Sequence, residues 1–145
     1  MEEQQQNIKI NANYCEGKIM ANVDENQMKQ VFHNIIINAL QAMPKGGKLN
    51  IITLCIEIIK SNTLKIPAFR IEFIDSGYGI PLDKIDEIFD FYYTSKKTGS
   101  GLGLAIARQI IEGHNGNIAV VSDEGKGTKL IIEIPVHSES IGIKN

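Results

Sequence analysis

The stretch Asp24-Glu-Asn-Gln-Met-Lys-Gln-Val-Phe-His-Asn34-Ile-Ile-Ile-Asn38-Ala-Leu-Gln-Ala-Met43 carries the most sustained helical pattern of the chain. Its apolar residues recur at intervals of three and four, namely Met28, Val31, Phe32, Ile35, Ile36, Ala39, Leu40 and Met43. Asp24 is a typical N-cap, and Pro44 follows the last apolar residue. The pattern therefore predicts a helix from Glu25 to Met43 with one buried face.

Alternating apolar residues on both sides of this helix predict strands. Before the helix, the alternating residues are Ile8 and Ile10, then Ile19, Ala21 and Val23. They predict two short strands joined by a turn at Glu16-Gly17. After the helix, Leu49–Ile59 and Phe69–Phe73 have the same period. These two segments predict an antiparallel pair whose second strand runs into Asp75.

The C-terminal half predicts one more long helix and two more strands. In chain order we expect a short helix or turn from Pro81 through Ile85, a mobile polar loop from Thr94 to Gly101, a helix from Leu102 to His114 stopped by Gly116, and strands Ile118–Val121 and Leu130–Ile134 around Glu124-Gly125. The two long helices are not spaced as repeated strand-helix units. The pattern therefore favours an α+β fold, a two-layer sandwich with helices on one sheet face, over a doubly wound fold.

Composition indicates a single domain covering residues 1–145, of a size that needs no disulfide or metal for stability. The formal net charge of -2 argues against binding to nucleic acid or to an anionic membrane surface. Cys15 and Cys55 lack metal-ligand spacing and are expected to be free, buried thiols. No apolar run is long enough to span a bilayer, and the acidic start is unlike a secretory signal, so we expect a cytoplasmic domain.

Asn34 and Asn38 lie four residues apart, so a helix places them on one face. Their angular position puts them opposite the apolar stripe, where a simple solvated polar face is one interpretation. Ile37 beside them argues against that interpretation. The other interpretation is a metal-triphosphate site, because a neutral amide oxygen such as that of Asn38 suits Mg²⁺.

Asp75 ends a predicted strand and is followed by Gly77 and Gly79, which leave the nearby backbone uncovered. A carboxylate only accepts hydrogen bonds, so it can accept one from the exocyclic amine of adenine but not from the carbonyl of guanine. An ordinary Asp-Ser-Gly turn explains the same residues without any ligand. In its functional interpretation, Asp75 selects adenine over guanine.

Gly99, Gly101 and Gly103 fit neither the P-loop pattern nor the dinucleotide-binding fingerprint. Bare backbone amides at a helix N-terminus can still bind phosphate, with Lys96 and Lys97 adding charge. The alternative is a disordered loop with solvated lysines. Together with the asparagines, Asp75 and Gly127-Thr128, the glycines describe one nucleotide pocket built from separate segments that together span about ninety residues, with ATP as the expected ligand.

For two further groups of residues we expect structural roles and no part in ligand binding. The aromatic run Phe89, Phe91, Tyr92, Tyr93 is more typical of a core or contact surface than of base stacking. His33 and His114 have no acid or cysteine at motif spacing and are expected to be structural.

These motifs resemble the boxes of the catalytic ATP-binding domain of sensor histidine kinases, in the gyrase, chaperone, histidine kinase and mismatch-repair ATPase superfamily. Asp24–Met43 resembles the asparagine box, Asp75-Ser-Gly-Tyr-Gly79-Ile the first glycine box, Ile88–Lys96 the phenylalanine box, Gly99-Ser-Gly-Leu-Gly-Leu-Ala-Ile-Ala107 the second glycine box and Gly127-Thr128 the third. The run that follows Asn38 is similar to nitrogen-regulation and sporulation kinases.

The resemblance implies a Bergerat fold, a mixed sheet backed by helices, that binds ATP and Mg²⁺. It implies that Asn38 ligates magnesium, Asn34 assists at the phosphates, Asp75 binds adenine and Thr128 supports that contact. The nucleotide-binding set also includes Gly77, Gly79, Lys96, Gly99, Gly101, Leu102 and Gly103. The segment from Thr94 to Gly101 would close over the triphosphate.

The implied reaction is transfer of the γ-phosphate to a histidine on a separate dimerisation domain, with a response regulator downstream. The helix that bears the phosphoacceptor histidine in these kinases is absent from this sequence, and Gln41 stands where many of them have a lysine. A superfamily ATP hydrolase is one alternative, disfavoured because Asn34 stands where the hydrolases place a glutamate base. A regulatory ATP-binding module that transfers nothing is the other.

Overall fold

The computed structural model describes residues 7–17, 19–90 and 102–136. In chain order these form β1 (Ile8–Asn13), α1 (Glu25–Gln41), β2 (Gly47–Lys60), β3 (Leu64–Asp75), a 3-10 helix (Leu82–Glu87), α2 (Gly103–Gly113), β4 (Asn117–Ser122) and β5 (Thr128–Pro135). The strand order in the sheet is β1-β2-β3-β5-β4. β1 is parallel to β2, and the other neighbours are antiparallel. The predicted mixed sheet is confirmed, as is the antiparallel pair that ends at Asp75.

Both helices pack on one face of this sheet, as an α+β two-layer sandwich requires. Every second residue of the central strands points into the core, for example Ile71 and Phe73 of β3 and Ile132 of β5. Val31 and Ile35 of α1 are fully buried against this face. Each such side chain contributes about 1.5 to 3 kcal/mol of hydrophobic stabilisation. Within the described ranges, neither helix has the length and apolar character needed to cross a membrane.

The second strand predicted before α1 does not form. Ile19–Val23 is irregular, and β1 pairs in parallel with β2 rather than in a hairpin with its own continuation. Ala21 and Val23 do pack against the core, which explains the alternation in the sequence. Alternating burial therefore occurs here without strand pairing, in the segment that leads to the N-cap Asp24.

Two element ends also differ from the sequence prediction. α1 ends at Gln41, two residues early, although Met43 remains buried. After α2, the left-handed residue is Asn115, with φ of 61°, and not Gly116. Gly116 is needed for another reason: a Cβ there would lie 2.6 Å from the carbonyl oxygen of Glu133.

Candidate functional site

One ridge of α1, formed by Asn34, Asn38 and Ala42, joins two distant parts of the chain. At one end, Asn34 Nδ2 donates a hydrogen bond of 3.2 Å to the carbonyl of Gly103, the first residue of α2. At the other end, the Ala42 carbonyl accepts a bond of 3.2 Å from the backbone N–H of Tyr78. Eight residues of helix separate the ends by about 12 Å. Asn38 lies between them.

The prediction that the two asparagines lie opposite the apolar stripe is wrong. Both are half-buried, because α2 packs against this flank of α1. Ile37, by contrast, faces solvent, with 38% of its surface exposed. The solvated-face interpretation therefore does not hold for Asn34, whose amide is bonded to the other helix. Asn38 also interacts within the protein.

Asp75 is the last residue of β3 and pairs with Thr128, the first residue of β5. Its Oδ1 accepts hydrogen bonds from the backbone N–H of Gly77, at 2.9 Å, and of Thr128, at 3.2 Å. The first bond is that of an ordinary Asp-Ser-Gly turn, which is the explanation of Asp75 that needs no ligand. The second fixes the carboxylate to a strand 53 residues away in sequence. The structure thus brings Asp75 and Thr128 together.

The glycines around Asp75 permit close backbone packing. A Cβ at Gly77 would lie 2.5 Å from the Ala42 carbonyl oxygen, so this glycine lets the loop approach α1. Gly79 and Gly127 have positive φ values of 73° and 88°, and a Cβ on either would collide with a neighbouring backbone carbonyl. These positions require glycine. The Asp75–Gly79 loop is consequently held between α1 and the turn that follows β4.

Ser122 is a structural member of the site that the sequence analysis missed. Its Oγ accepts from the Ile80 backbone N–H at 2.9 Å, donates to the Gly127 carbonyl at 2.8 Å and lies 2.9 Å from Thr128 Oγ1. A hydroxyl has a single proton, so when Ser122 donates to Gly127, Thr128 must be the donor in the third bond. Only the pairing of Ser122 with Thr128 across β4 and β5 places it here, and no motif signals that pairing.

Among the residues that the structure describes, no side chain caps the N-terminus of α2. Among the described residues, a Cβ at Gly103 would meet only Asn34, at an ordinary contact distance of 3.8 Å. Leu102, the N-cap residue, is half-buried. Backbone amides at such a terminus can bind an anion. Lys96, Gly99 and Gly101, and the predicted closing segment to which they belong, lie outside the described residues.

The fold and this arrangement of residues are typical of a class of ATPases. Residues 23–138 match the family model described as histidine kinase-, DNA gyrase B-, and HSP90-like ATPase. The chain belongs to this family.

Among the relatives, the similarity is to sensor kinases. The chain is 38% identical over 135 residues to Sporulation kinase C of Bacillus subtilis (strain 168), covering 92% of the chain and 29% of that protein. It is 41% identical over 124 residues to Sensor protein kinase WalK of Staphylococcus epidermidis, covering 81% of the chain and 19% of that protein. The chain thus spans less than a third of the length of either relative.

A solved structure of a histidine kinase domain is similar to this chain as well. The catalytic domain of histidine kinase ThkA, in a nucleotide-free form, matches with a TM-score of 0.73 at 29% identity. The match covers 89% of this chain and 80% of that domain. The family resemblance seen in the sequence motifs is confirmed, and so is the expected architecture.

Proposed function

We propose that this domain binds Mg–ATP along the α1 ridge and transfers the γ-phosphate to a histidine on a separate dimerisation domain. One observation carries the proposal: Asn38 lies on the same ridge as the contacts that tie down the α2 N-terminus and the Asp75 loop. A ligand on this ridge would reach an amide oxygen, a fixed carboxylate and a helix N-terminus at once. Those are the groups suited to a cation, an adenine and a phosphate respectively.

The residues present fit the nucleotide and its cation. Asn38 supplies a neutral, half-buried oxygen on the ridge, so a magnesium ion can be held without adding negative charge beside a triphosphate. Asp75 is held by two backbone N–H groups, which fix its carboxylate in a position from which it can accept a hydrogen bond from an amine. Bound magnesium would supply charge neutralisation at the phosphates.

For Asn34 we propose a positioning role. Its Nδ2 is bonded to Gly103, so it sets where the α2 N-terminus lies relative to Asn38. Phosphoryl transfer depends on alignment and electrostatics, and a displaced helix terminus would misplace the phosphates. An amide at this position cannot accept a proton from water, which counts against the hydrolase alternative.

The proposed partners are a phosphoacceptor domain and a downstream response regulator, and the proposed compartment is the cytoplasm. The sensor-kinase relatives support the two proposed partners.

The test combines this chain with radiolabelled ATP and a separately purified phosphoacceptor domain, from its own gene or from a related sporulation kinase. We expect acid-labile, base-stable label on the acceptor and none on this chain alone. ATP binding without transfer to either acceptor would favour a regulatory module, and rapid phosphate release by the chain alone would favour a hydrolase.

A further inference from the structure

The two cysteines of the chain, 40 residues apart, come together beside β2. The Cys55 thiol donates a hydrogen bond to Cys15 Sγ, with the two sulfurs 3.5 Å apart. Cys55 lies in β2 and pairs with Phe69 of β3. Cys15 is the second residue after β1. The expectation of two buried thiols is wrong, because Cys15 is half-buried and Cys55 is exposed.

The position of Cys15 is fixed by a neighbour of Cys55 on the same strand. The Cys15 backbone N–H donates a hydrogen bond to Thr53 Oγ1 at 2.8 Å. The Thr53 hydroxyl in turn donates a hydrogen bond to Cys15 Sγ at 3.5 Å. Thr53 is itself buried, with 8% exposure. An S–S bond is about 2.0 Å long, so the sulfurs need to approach by about 1.5 Å. Because Cys15 lies just past the end of a strand, a small backbone shift there breaks no sheet pairing.

We propose that Cys15 and Cys55 form a modification site, a dithiol that a low-molecular-weight disulfide oxidises to an intramolecular disulfide. In the first step, the thiolate of one cysteine attacks a sulfur of the oxidant, its S–S bond breaks, and one small thiol leaves. In the second step, the other cysteine loses its proton, attacks the protein sulfur of the mixed disulfide and expels the second small thiol. Two electrons and two protons pass from the dithiol to the oxidant.

The rate of this reaction should rise with pH. Desolvation of the sulfur, the hydrogen bond with Cys15 and the charge of Cys15 all raise the pKa of the Cys55 thiol from its ordinary value. Other titratable neighbours along the chain are Tyr14, Glu16 and Glu57, while Phe69 faces Cys55 from β3. The reactive thiolate is therefore less populated than in an ordinary cysteine and grows with pH, so oxidation should be several-fold faster at pH 8.5 than at pH 7.

The disulfide would tie down the segment after β1 without reaching the nucleotide site. Tyr14, Cys15 and Gly17 line an apolar cavity of about 450 Å³ together with Phe32 and Ile36 of α1. Asp75 pairs with Leu49, six residues along β2 from Cys55, or about 20 Å away. We therefore expect a more stable domain with unchanged ATP affinity.

The test treats the whole native chain with oxidised glutathione at pH 8.5. We expect a monomer lighter by about 2 Da, a Cys15–Cys55 crosslinked peptide, reversal by dithiothreitol, and a Tm raised by roughly 5 to 10 °C. Cys55→Ser, at an exposed position, should instead keep a glutathione adduct on Cys15 and show no such rise. Stable adducts on both cysteines of the wild-type chain, an unmodified chain or only intermolecular dimers would overturn the proposal.

Discussion

Gly127 leaves no room for a side chain beside the backbone carbonyl of Asp75, because a Cβ at this glycine would collide with that oxygen. The turn after β4 and the end of β3 are therefore in direct backbone contact. This contact brings the Thr128 N–H to the Asp75 carboxylate. Gly127 thus helps to position Asp75, the residue proposed to bind adenine.

Gly127→Ala should destabilise the domain more than Gly125→Ala. Both glycines have positive φ, 88° and 82°, so both substitutions incur a backbone strain of about 1 kcal/mol. Gly125 has open space around it, whereas Gly127 adds the collision with Asp75, a further 1 to 3 kcal/mol or so. Urea unfolding of the two variants measures the difference. Equal free energies of unfolding would show that the contact is not tight in solution.

Asp75→Asn should preserve the loop and weaken ATP binding. An amide oxygen can still accept from Gly77 and Thr128, but the amide NH₂ can face the adenine amine as a second donor. An unpaired buried polar group costs about 1 to 3 kcal/mol, or roughly a tenfold to hundredfold loss of affinity.

Calorimetry with ATP and GTP checks this, and wild type should discriminate against GTP. Asp75→Ala is the comparison variant: it should weaken binding and also lower the free energy of unfolding, since two backbone N–H groups lose their acceptor. Equal wild-type affinity for ATP and GTP would remove Asp75 from the adenine role.

Asn38→Ala should abolish the magnesium-dependent part of ATP affinity and phosphotransfer with it, because the cation loses its protein oxygen. Affinity measured in EDTA should change little. Gln30→Ala, an exposed polar truncation on the same helix, is the matched control and should behave as wild type. Full transfer by Asn38→Ala would refute the assignment of magnesium to this residue.

Ser122→Ala should destabilise the domain by about 1 to 2 kcal/mol, because the Ile80 N–H loses its acceptor and the Gly127 carbonyl its donor. Ile80 directly follows the Asp75–Gly79 loop, so the substitution should also disturb Asp75 and lower the ATP affinity. A double-mutant cycle with Thr128→Val isolates the Ser122–Thr128 bond, for which we expect a coupling of about 0.5 to 1.5 kcal/mol. Strict additivity would mean that the two hydroxyls do not interact.

The sequence predicted those parts of the molecule that follow from local pattern. The α1 stripe, the β2–β3 pair and the fixed Asp75 carboxylate each follow from residues close in sequence or from a box of the family. What escaped prediction depends on partners distant in sequence. Ile19–Val23 alternates in burial but pairs with no strand. Ser122 is defined only by the register of β4 against β5, and the proximity of Cys15 to Cys55 only by the packing of the segment after β1.

The same limit applies to Asn34, whose partner Gly103 lies 69 residues away. We expect Asn34→Ala to remove one hydrogen bond between α1 and α2 at a cost of about 0.5 to 1.5 kcal/mol. Asn34→Asp should cost more, because a carboxylate facing the Gly103 carbonyl places two acceptors against each other. His33→Ala, at the exposed neighbouring position, controls for truncation on this helix.

The positioning role proposed for Asn34 makes a kinetic prediction beyond stability. Asn34→Ala should lower the phosphotransfer rate at saturating ATP by more than it weakens ATP binding, because a displaced α2 N-terminus would misalign the phosphates while the proposed adenine contact at Asp75 would persist. Single-turnover transfer and calorimetry on the same variant separate the two effects. A loss confined to ATP affinity, with an unchanged transfer rate at saturation, would show that Asn34 contributes binding rather than alignment.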